Sequence, residues 1–453
     1  MTTHRRRFLR LCGVAGVSAT AGCSTGSQNS GTPTSSQTTA TPTESPTQLQ
    51  SPTQQAKLVP DDGDNGDRFA GSVAVSSDGT TALVGAVQDS DPHGDRAGSA
   101  YIFDGSGGSW SQQAKITADD GDSDDEFGNS VALSSDGTTA LIGAHEDDDP
   151  NEDGAGSAYI FDGSGGSWSQ QVKLVADDGT DGDNFGRSVA LSRDGTTALI
   201  GASDDRVPNV SGEIKGAVYI FSESSGSWNQ QTKLAADDGA NSNEFGCSVA
   251  LSRDGTTALI GDRLNDTKGT NTGSAHIFNE SGDSWSQQAR LVPDDGDSRD
   301  NFGNTVALSS DGTTALIGSY EDNDPNGDRA GSAYLFDSSA GSWSQQAKLT
   351  AADGDSDDLF GHSVAIARDG TIALIGARYD EDPYGRGAGS AYIFDGSGDS
   401  WSQQDKISAG DGDLDDNFGS SVGMSSDGTT ALIGASGDED PNGRAAGSAY
   451  IFE

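Results

Sequence analysis

Aspartates at alternate positions are the first residues in this sequence whose spacing could do chemistry. One acidic loop recurs along the chain, and three of its copies carry three such aspartates shortly before a phenylalanine. Oxygen ligands at this spacing can converge on calcium, which takes about six to eight oxygens. Alternatively, the leading Asp-Gly pair makes a turn and the later acids are solvated, since a fourth copy has Ala240 and Asn243 there. The candidate calcium ligands are Asp120, Asp122, Asp124, Asp353, Asp355, Asp357, Asp411, Asp413 and Asp415.

A second recurring loop supplies candidate partner-binding residues. It reads Asp-x-Asp-Pro in five copies, but the third and fourth copies abandon this pattern and bring in basic residues. A site for one particular partner must break the symmetry of a repeat somewhere. Neutral drift and glycan display stay open as alternatives, because sequons begin at Asn209, Asn265 and Asn279. The candidate partner-binding residues are Arg206, Glu213, Lys215, Arg263 and Lys268.

Catalytic residues are not expected. The five histidines show no metal-ligand spacing, and paired carboxylates recur in nearly every copy, so no pair stands out as acid and base. Cys247 is the lone cysteine outside the first 23 residues and is read as a small packing residue. We therefore predict no enzyme and no certain cofactor beyond the calcium hypothesis. An extracellular hydrolase or lyase is the alternative.

The charge excludes one class of partner. Acids number 71 against 26 bases, a formal net charge of -45. Nucleic acid is excluded, because binding it requires a basic surface that displaces counterions. So large a negative charge loosens a compact fold by self-repulsion. In molar salt the Debye length falls to roughly 3 Å, and this repulsion nearly vanishes. The acid excess therefore indicates a halophilic protein, and a protein that gathers cations is the second interpretation.

The loops belong to a repeat that fills the chain from residue 54 onward. A phenylalanine followed by a small residue recurs every 57 to 60 residues, at Phe69, Phe127, Phe185, Phe245, Phe302, Phe360 and Phe418. Four short apolar runs in each copy, each bounded by turn residues, predict four strands. A repeat of this size, rich in glycine and built from four strands, is typical of a β-propeller blade.

The two ends of the repeat region predict a closed ring. The last copy stops at Glu453 without a fourth strand, whereas residues 54–59 form an extra fourth strand ahead of the first copy. Pairing between these two ends would leave no long unpaired edge. The prediction is an all-β, seven-bladed propeller over residues 54–453, closed by the N-terminal strand, with both acid-rich loops on one face. We expect it to be a monomer.

The first 53 residues resemble an export leader and a tether. Arg5, Arg6, Phe8 and Leu9 resemble the twin-arginine export motif, and the short stretch that follows is too short to span a bilayer. It ends in a sequence that resembles a lipobox at Cys23, although Thr20 stands where leucine is usual. We predict a signal peptide over residues 1–22 and a disordered Ser/Thr/Pro-rich tether over 23–53. The protein would then sit on the extracellular face of the cytoplasmic membrane, held by lipid alone.

The order Phe-Gly, Ser-Val-Ala, Gly-Ala and Ala-Tyr-Ile-Phe resembles FG-GAP repeats, as in the N-terminal propeller of integrin α chains. The motif Trp-x-Gln-Gln-x-Lys-Leu is similar to the prokaryotic, haloarchaeal branch. This resemblance implies adhesion or recognition of a protein or glycan at a cell surface; a passive envelope component is the alternative. The calcium loops of integrins are not carried over, because tight turns such as Asp136-Gly137 occupy their place.

Overall fold

A short Asp-Gly turn fixes the first hairpin of every repeat, preceded by Ser-x in six copies and by Ala367-Arg368 in one. In the second repeat the Asp136 carboxylate accepts hydrogen bonds from Ser134 Oγ at 2.8 Å and from the Thr138 amide at 3.1 Å. Gly137 adopts φ +71°, which glycine reaches without a steric penalty. The chain therefore reverses within four residues, and the apolar runs on either side pair as antiparallel strands.

The coordinates are a computed structural model, and the structure describes residues 51–90, 93–148, 154–205, 216–236, 244–266, 268–282, 284–323, 326–338, 342–397, 400–439 and 441–453. Within these residues every regular element is a β-strand, numbered β1 to β28 along the chain. None of the elements in these ranges is a helix long and apolar enough to cross a membrane.

Each blade has four strands, and the same strand position recurs around the ring. The first strands are β2 (Phe69–Val75), β6 (Ser130–Leu133), β10 (Phe185–Leu191), β14 (Phe245–Leu251), β18 (Thr305–Leu308), β22 (Phe360–Ile366) and β26 (Phe418–Met424). The second strands are β3 (Thr81–Ala86), β7 (Thr139–Ala144), β11 (Thr197–Ala202), β15 (Thr257–Asp262), β19 (Thr314–Ser319), β23 (Ile372–Ala377) and β27 (Ala431–Ala435).

The outer half of each blade completes the set. The third strands are β4 (Ser99–Asp104), β8 (Ser157–Asp162), β12 (Ala217–Ser224), β16 (Ser274–Ser281), β20 (Ser332–Asp337), β24 (Ser390–Asp395) and β28 (Ser448–Phe452). The fourth strands are β5 (Ser111–Ile116), β9 (Ser169–Leu174), β13 (Ser227–Leu234), β17 (Ser284–Leu291), β21 (Ser344–Leu349), β25 (Ser402–Ile407) and β1 (Gln54–Leu58).

The strands form seven four-stranded antiparallel sheets, numbered here as blades 1 to 7 in chain order. Blade 7 combines both ends of the repeat region, in the order β1-β28-β27-β26, with Lys57 opposite Tyr450 and Leu58 opposite Ala449. The predicted fold class, an all-β seven-bladed propeller, is confirmed.

The hydrophobic core lies between blades rather than within them. One of seven clusters joins Leu83 and Ile102 of blade 1 to Phe127 and Ile142 of blade 2, and all four are nearly inaccessible. Within its own blade the Phe127 ring also packs edge-on against Tyr159, with ring centroids 5.5 Å apart. Edge-to-face aromatic contacts add to the stabilisation that burial gives. The recurring phenylalanine is therefore the residue that fastens each blade to its neighbour.

Glycine in the second strand lets neighbouring blades touch backbone to backbone. A Cβ placed on Gly143 would lie 2.0 Å from the Gly186 carbonyl oxygen of the next blade. Both atoms belong to regular, buried backbone, so neither has room to move. Because this contact recurs around the ring, the Gly of the Gly-Ala motif sets the spacing between blades.

We expect Gly143→Ala to lower the free energy of unfolding by about 3 kcal/mol, the upper end of what overpacking costs. The methyl group would force the sheets of blades 2 and 3 apart. Gly165→Ala is the matched control, because a Cβ there meets no atom within 4 Å, and its effect should stay within about 0.5 kcal/mol. Urea unfolding followed by circular dichroism measures both, and equal stabilities would contradict this interpretation of the glycine.

A ring of backbone hydrogen bonds surrounds the propeller axis at the Asp-Gly turns. The Ser77 amide donates to the Ser135 carbonyl at 3.0 Å, and the Ser426 amide donates to the Ser77 carbonyl at 3.0 Å. Every blade gives one such bond and receives one. The seven residues of this ring are Ser77, Ser135, Arg193, Arg253, Ser310, Arg368 and Ser426.

The other end of the disk carries the two kinds of long loop. The loop after the second strand of blade 1 hydrogen bonds to the loop that enters blade 2, through Asp124 N to Asp95 O at 2.8 Å and Phe127 N to Ala97 O at 2.9 Å. We call this end the loop face and the end with the Asp-Gly turns the turn face. Chemistry specific to one blade should lie on the loop face or along the axis, because the turns are nearly identical.

Candidate functional site

The first candidate calcium ligand of each acid-rich loop is held by side chains of the blade that the loop enters. Asp120 accepts hydrogen bonds from Lys173 Nζ at 2.9 Å and from the Tyr159 hydroxyl at 3.1 Å. Lys173 also pairs with the buried Asp147 at 3.0 Å, and Tyr159 donates to that carboxylate at 2.5 Å. Burial alone would raise the pKa of Asp120, but the hydrogen bond and charge of Lys173 hold it below its usual value. Asp120 is thus part of an internal ionic network.

The same ionic network recurs in five further blades. Each combines a loop aspartate, a buried aspartate after the second strand, a tyrosine of the third strand and a lysine of the fourth. The sets are Asp62, Asp89, Tyr101 and Lys115; Asp178, Asp205, Tyr219 and Lys233; Asp295, Asp322, Tyr334 and Lys348; Asp353, Asp380, Tyr392 and Lys406; and Asp411, Asp438, Tyr450 and Lys57.

The later aspartates of the calcium hypothesis face elsewhere. Asp122 is exposed and donates its amide to the buried Asp125 at 2.7 Å, as Asp355 and Asp413 do to their own neighbours. Asp124 pairs with Arg96 at 3.1 Å, and Asp357 pairs with Arg329 at 3.0 Å; Asp415 is exposed. Among the described residues, no three acids, histidines or cysteines are placed to hold a metal. Calcium binding stays a prediction, without support from this arrangement.

A second buried carboxyl sits beside each network. Burial raises the pKa of Asp125 to about 7, and the negative charge of Asp147 adds to this rise, although the Asp122 amide opposes it. The pKa is likewise raised to about 6 for Asp67 and Asp300 and to about 7 for Asp358 and Asp416. These groups therefore retain protons near neutral pH that ordinary aspartates have lost.

Blade 4 replaces the network with different residues. His276 takes the place of the tyrosine, and its Nε2 lies 3.0 Å from Ser274 Oγ and 3.4 Å from the fully buried Asp262. Asn265 replaces the buried aspartate, donates to Asp262 at 2.9 Å and is itself fully buried. Its nitrogen is committed to the core, so the folded chain offers no accessible amide for the glycan predicted at Asn265. Asn279 lies half-buried on β16, and Asn209 is outside the described residues.

Of the predicted partner-binding residues, the two that the structure describes, Arg263 and Lys268, contact different parts of the loop face. Arg263 pairs with Glu244 at 2.6 Å and donates to Asn304 at 3.3 Å, which directs it toward the axis. Lys268 instead donates to the backbone oxygens of Pro293 and Asp294 in the next inter-blade loop. Arg206, Glu213 and Lys215 lie outside the described residues, as do Cys23, Arg5, Arg6, Phe8 and Leu9. Of the two described residues, Arg263 is the one that lines a cavity.

That cavity is axial, has a volume of about 440 Å³ and is lined by the first strands of the seven blades. The residue after each Phe-Gly (Phe-Ala in blade 1) lines it, and this position differs around the ring, while the next two positions are Ser or Thr and then Val in every copy. The propeller is thus symmetric in its packing residues and asymmetric at its axis. The seven variable residues are Gly71, Asn129, Arg187, Cys247, Asn304, His362 and Ser420.

The cavity is polar and partly cationic. Arg187 Nη1 lies 3.3 Å from His145 Nε2, and burial together with Arg187 lowers the pKa of His145 to about 3, so the imidazole is neutral and can accept this bond. Among the described residues, Arg187 forms no ion pair within 4 Å. Arg263 keeps Glu244 as its counter-ion. A guanidinium without a carboxylate partner in so acidic a protein can bind an anionic or polar group.

Nucleophilic chemistry is not supported by the cavity. Burial raises the pKa of the Cys247 thiol to about 12, whereas attack requires a thiolate. Burial also lowers the pKa of His362 to about 3, with the charge of Arg378 adding to the effect. At neutral pH the cavity therefore holds a protonated thiol and a neutral imidazole.

The sequence contained a signal for this cavity that the search for motifs missed. The informative feature is one variable strand position, which lies between the recurring phenylalanine motif and the valine that every copy keeps. The first strand of each blade faces the axis, so the residues at this position converge once the ring closes. An alignment of the seven copies against one another, scored for the least uniform strand position, would have found it.

The FG-GAP repeat family matches the chain seven times, over residues 52–103, 110–161, 168–221, 228–278, 285–336, 343–394 and 401–452. Six matches begin at a tryptophan and the first begins at Pro52; each spans one inter-blade loop and ends with a third strand. No curated protein is similar enough to count as a match.

Proposed function

Because the chain belongs to the FG-GAP repeat family, we propose that it is a binding or adhesion module that engages its partner with the loop face and the axial cavity. Propellers of this family suggest binding rather than catalysis in general. Fold alone does not determine function, so the proposal depends on what distinguishes this propeller from a purely symmetric one.

The observation that carries the proposal is the asymmetry of the axial cavity. Packing residues recur in all seven copies, whereas the cavity position carries glycine, asparagine, arginine, cysteine, histidine and serine. If the differences between copies were neutral drift, they would be scattered over exposed positions. Ligand sites are concave and owe their specificity to a few placed polar groups, and this cavity brings several unlike polar side chains together.

The hydrolase or lyase alternative is not favoured. Such an enzyme needs an acid and a base with separated pKa values, or an activated nucleophile. Cys247 and His362 have pKa values shifted away from neutrality in the unproductive direction. A passive envelope component remains the outcome that the experiment below would reveal.

The address of the protein is part of the proposal. A twin-arginine leader with lipidation at Cys23 would place the propeller on the extracellular face of the membrane, as a halophilic monomer without a resident cofactor. An acidic loop face would meet an unidentified protein or glycan there. The tether over residues 23–53 would hold the disk away from the lipid.

The test compares two double variants of the full chain in envelope extracts at molar salt. Arg187→Ala with His362→Ala alters the axial cavity, and Arg193→Ala with Arg368→Ala alters the turn face to a similar extent. We expect the unmodified chain and the turn-face variant to retain the same component, and the axial variant to lose it. Identical retention by all three chains, with unchanged melting temperatures, would reject the proposal.

A further inference from the structure

The largest exposed hydrophobic side chains of the described residues meet at one place on the loop face. Tyr379 and Tyr384 are each 39% exposed, and Leu414 is 61% exposed. Tyr379 and Tyr384 lie in the loop after the second strand of blade 6, and Leu414 lies in the loop that enters blade 7. Large apolar groups at three solvent-facing positions of an otherwise polar surface mark an interaction site.

Side-chain contacts show that the three residues form one patch. A Cβ on Gly412 would lie 2.7 Å from the Tyr384 ring, and a Cβ on Gly385 would lie 2.7 Å from Leu414 Cδ2. Tyr379 and Leu414 line the same cleft of about 520 Å³. The two loops therefore interlock, and each contributes to a continuous surface.

Each of the three residues departs from the other repeats. At the position of Tyr384, three copies have asparagine, and at the position of Leu414, three copies have serine. The position of Tyr379 is acidic in three copies. The changes at Tyr384 and Leu414 are not needed for packing, because the other blades fold without them; at the position of Tyr379, blade 4 also has an apolar residue, Leu264.

Four arginines surround the patch. Arg68, Arg378 and Arg444 line the cleft beside Tyr379, and Arg386 lines a second cleft of about 450 Å³ on its other side. Among the described residues, none of these four guanidiniums has a carboxylate within 4 Å, although Glu381, Asp415 and Glu439 line the same clefts. The Arg378 guanidinium lies 4.7 Å above the Tyr379 ring, and its buried Nε has no partner in this part of the chain.

We propose that this Tyr–Leu–Arg patch docks an acidic segment of a partner protein, one that carries apolar side chains between carboxylates. Tyrosine and arginine dominate the residues that supply binding energy at protein interfaces. Arginine also pairs with carboxylates in a bidentate geometry that lysine lacks. This inference rests on the proposed function and adds the location and the chemistry of the partner.

The test uses the full chain and a short synthetic peptide in which leucine and glutamate alternate, measured by fluorescence anisotropy. Two double variants remove the patch: Tyr384→Asn with Leu414→Ser, which restores the residues of other copies, and Arg386→Gln with Arg444→Gln. We expect each to lower affinity at least about tenfold. Arg299→Gln, an exposed arginine on the same face but in the loop entering blade 5, is the matched control and should leave affinity unchanged.

Four outcomes would overturn the assignment. Equal affinity for peptides with glutamine or lysine in place of glutamate would remove the role of carboxylates. Indifference of binding to both patch variants would remove the patch. Binding of an acidic polyuronate oligosaccharide, but not the peptide, would assign the arginines to a glycan. Retention of the envelope component by the patch variants, with loss in the axial variant, would refute the patch while leaving the proposed function intact.

Discussion

Lowering the pH from about 8 to about 5 is expected to stabilise the propeller, because buried carboxyls of the folded state take up protons in this range. Folding raises the pKa of Asp67 and Asp300 to about 6 and that of Asp125, Asp358 and Asp416 to about 7. Between the ordinary aspartate pKa and these values the folded state binds more protons than the unfolded state. Stability is therefore lost as pH rises through about 6 to 7.

Two effects limit this window on the acid side. His145 and His362 have a pKa lowered to about 3, so their protonation favours the unfolded state as the pH falls below the usual histidine pKa. These two histidines offset only part of the stabilisation that the five carboxyls give. Below about pH 4 the paired aspartates, whose pKa is lowered, also lose their contribution. The highest melting temperature should consequently lie near pH 5, several kcal/mol above the stability at pH 8.

A neutral replacement of one carboxyl separates this cause from general charge repulsion. Asp125→Asn keeps an acceptor for the Asp122 amide and should raise the melting temperature at pH 8, with little effect at pH 5. Asp119→Asn removes an exposed charge and is the control for repulsion alone. Calorimetric melting from pH 4 to 9 measures both, and a stability that rises steadily with pH would contradict the prediction.

Lys173→Met should be the most damaging single change in an ionic network, costing about 3 to 5 kcal/mol of unfolding free energy. Lys173 pairs with Asp120 and Asp147 at 2.9 and 3.0 Å, and Asp147 is 2% exposed. Removing the ammonium leaves a buried carboxylate without its counter-ion. Asp120 is largely exposed and contributes less, because water screens its charge.

The double variant Lys173→Met with Asp147→Asn provides the control. It removes both charges and keeps the acceptor for the Tyr159 hydroxyl, so it should recover at least half of the lost stability. Urea unfolding at constant molar salt compares the single and double variants. If the double variant is less stable than the single one, the loss comes from packing of the lysine stem rather than from charge.

The fold was predictable because each of its signals is local and repeated. Seven phenylalanine motifs set the number of blades, Asp-Gly pairs set the hairpins, and the displaced strand near residue 54 has the sequence of the strand that the last copy lacks. If the strand pattern of one copy is misread, the other six copies still indicate the correct pattern. A single unrepeated domain of this length would not have given such redundancy.

The candidate sites were less predictable, because they depend on departures from the repeat and on contacts between distant copies. The alternate spacing of Asp120, Asp122 and Asp124 suggested convergence on a cation. Lys173, more than fifty residues later in the sequence, instead binds the Asp120 carboxylate. Arg263 was selected for its loop, whereas its role follows from Glu244 and Asn304 across the blade boundary. Leu414 stands where three copies have serine, and a single substitution of this kind belongs to no recognisable motif.

The ring of backbone hydrogen bonds at the Asp-Gly turns has a consequence for the evolution of the molecule. Each blade donates one main-chain bond and accepts one, so the cycle has no first or last member; Ser426 and Ser77 form the same main-chain bond as the other neighbours and add an Oγ–Oγ bond of 2.9 Å. Since only main-chain atoms form the cycle, the side chains at these seven places are free to change, as the mixture of serine and arginine shows. The ends of the polypeptide could therefore be moved to another gap between blades without altering the seal.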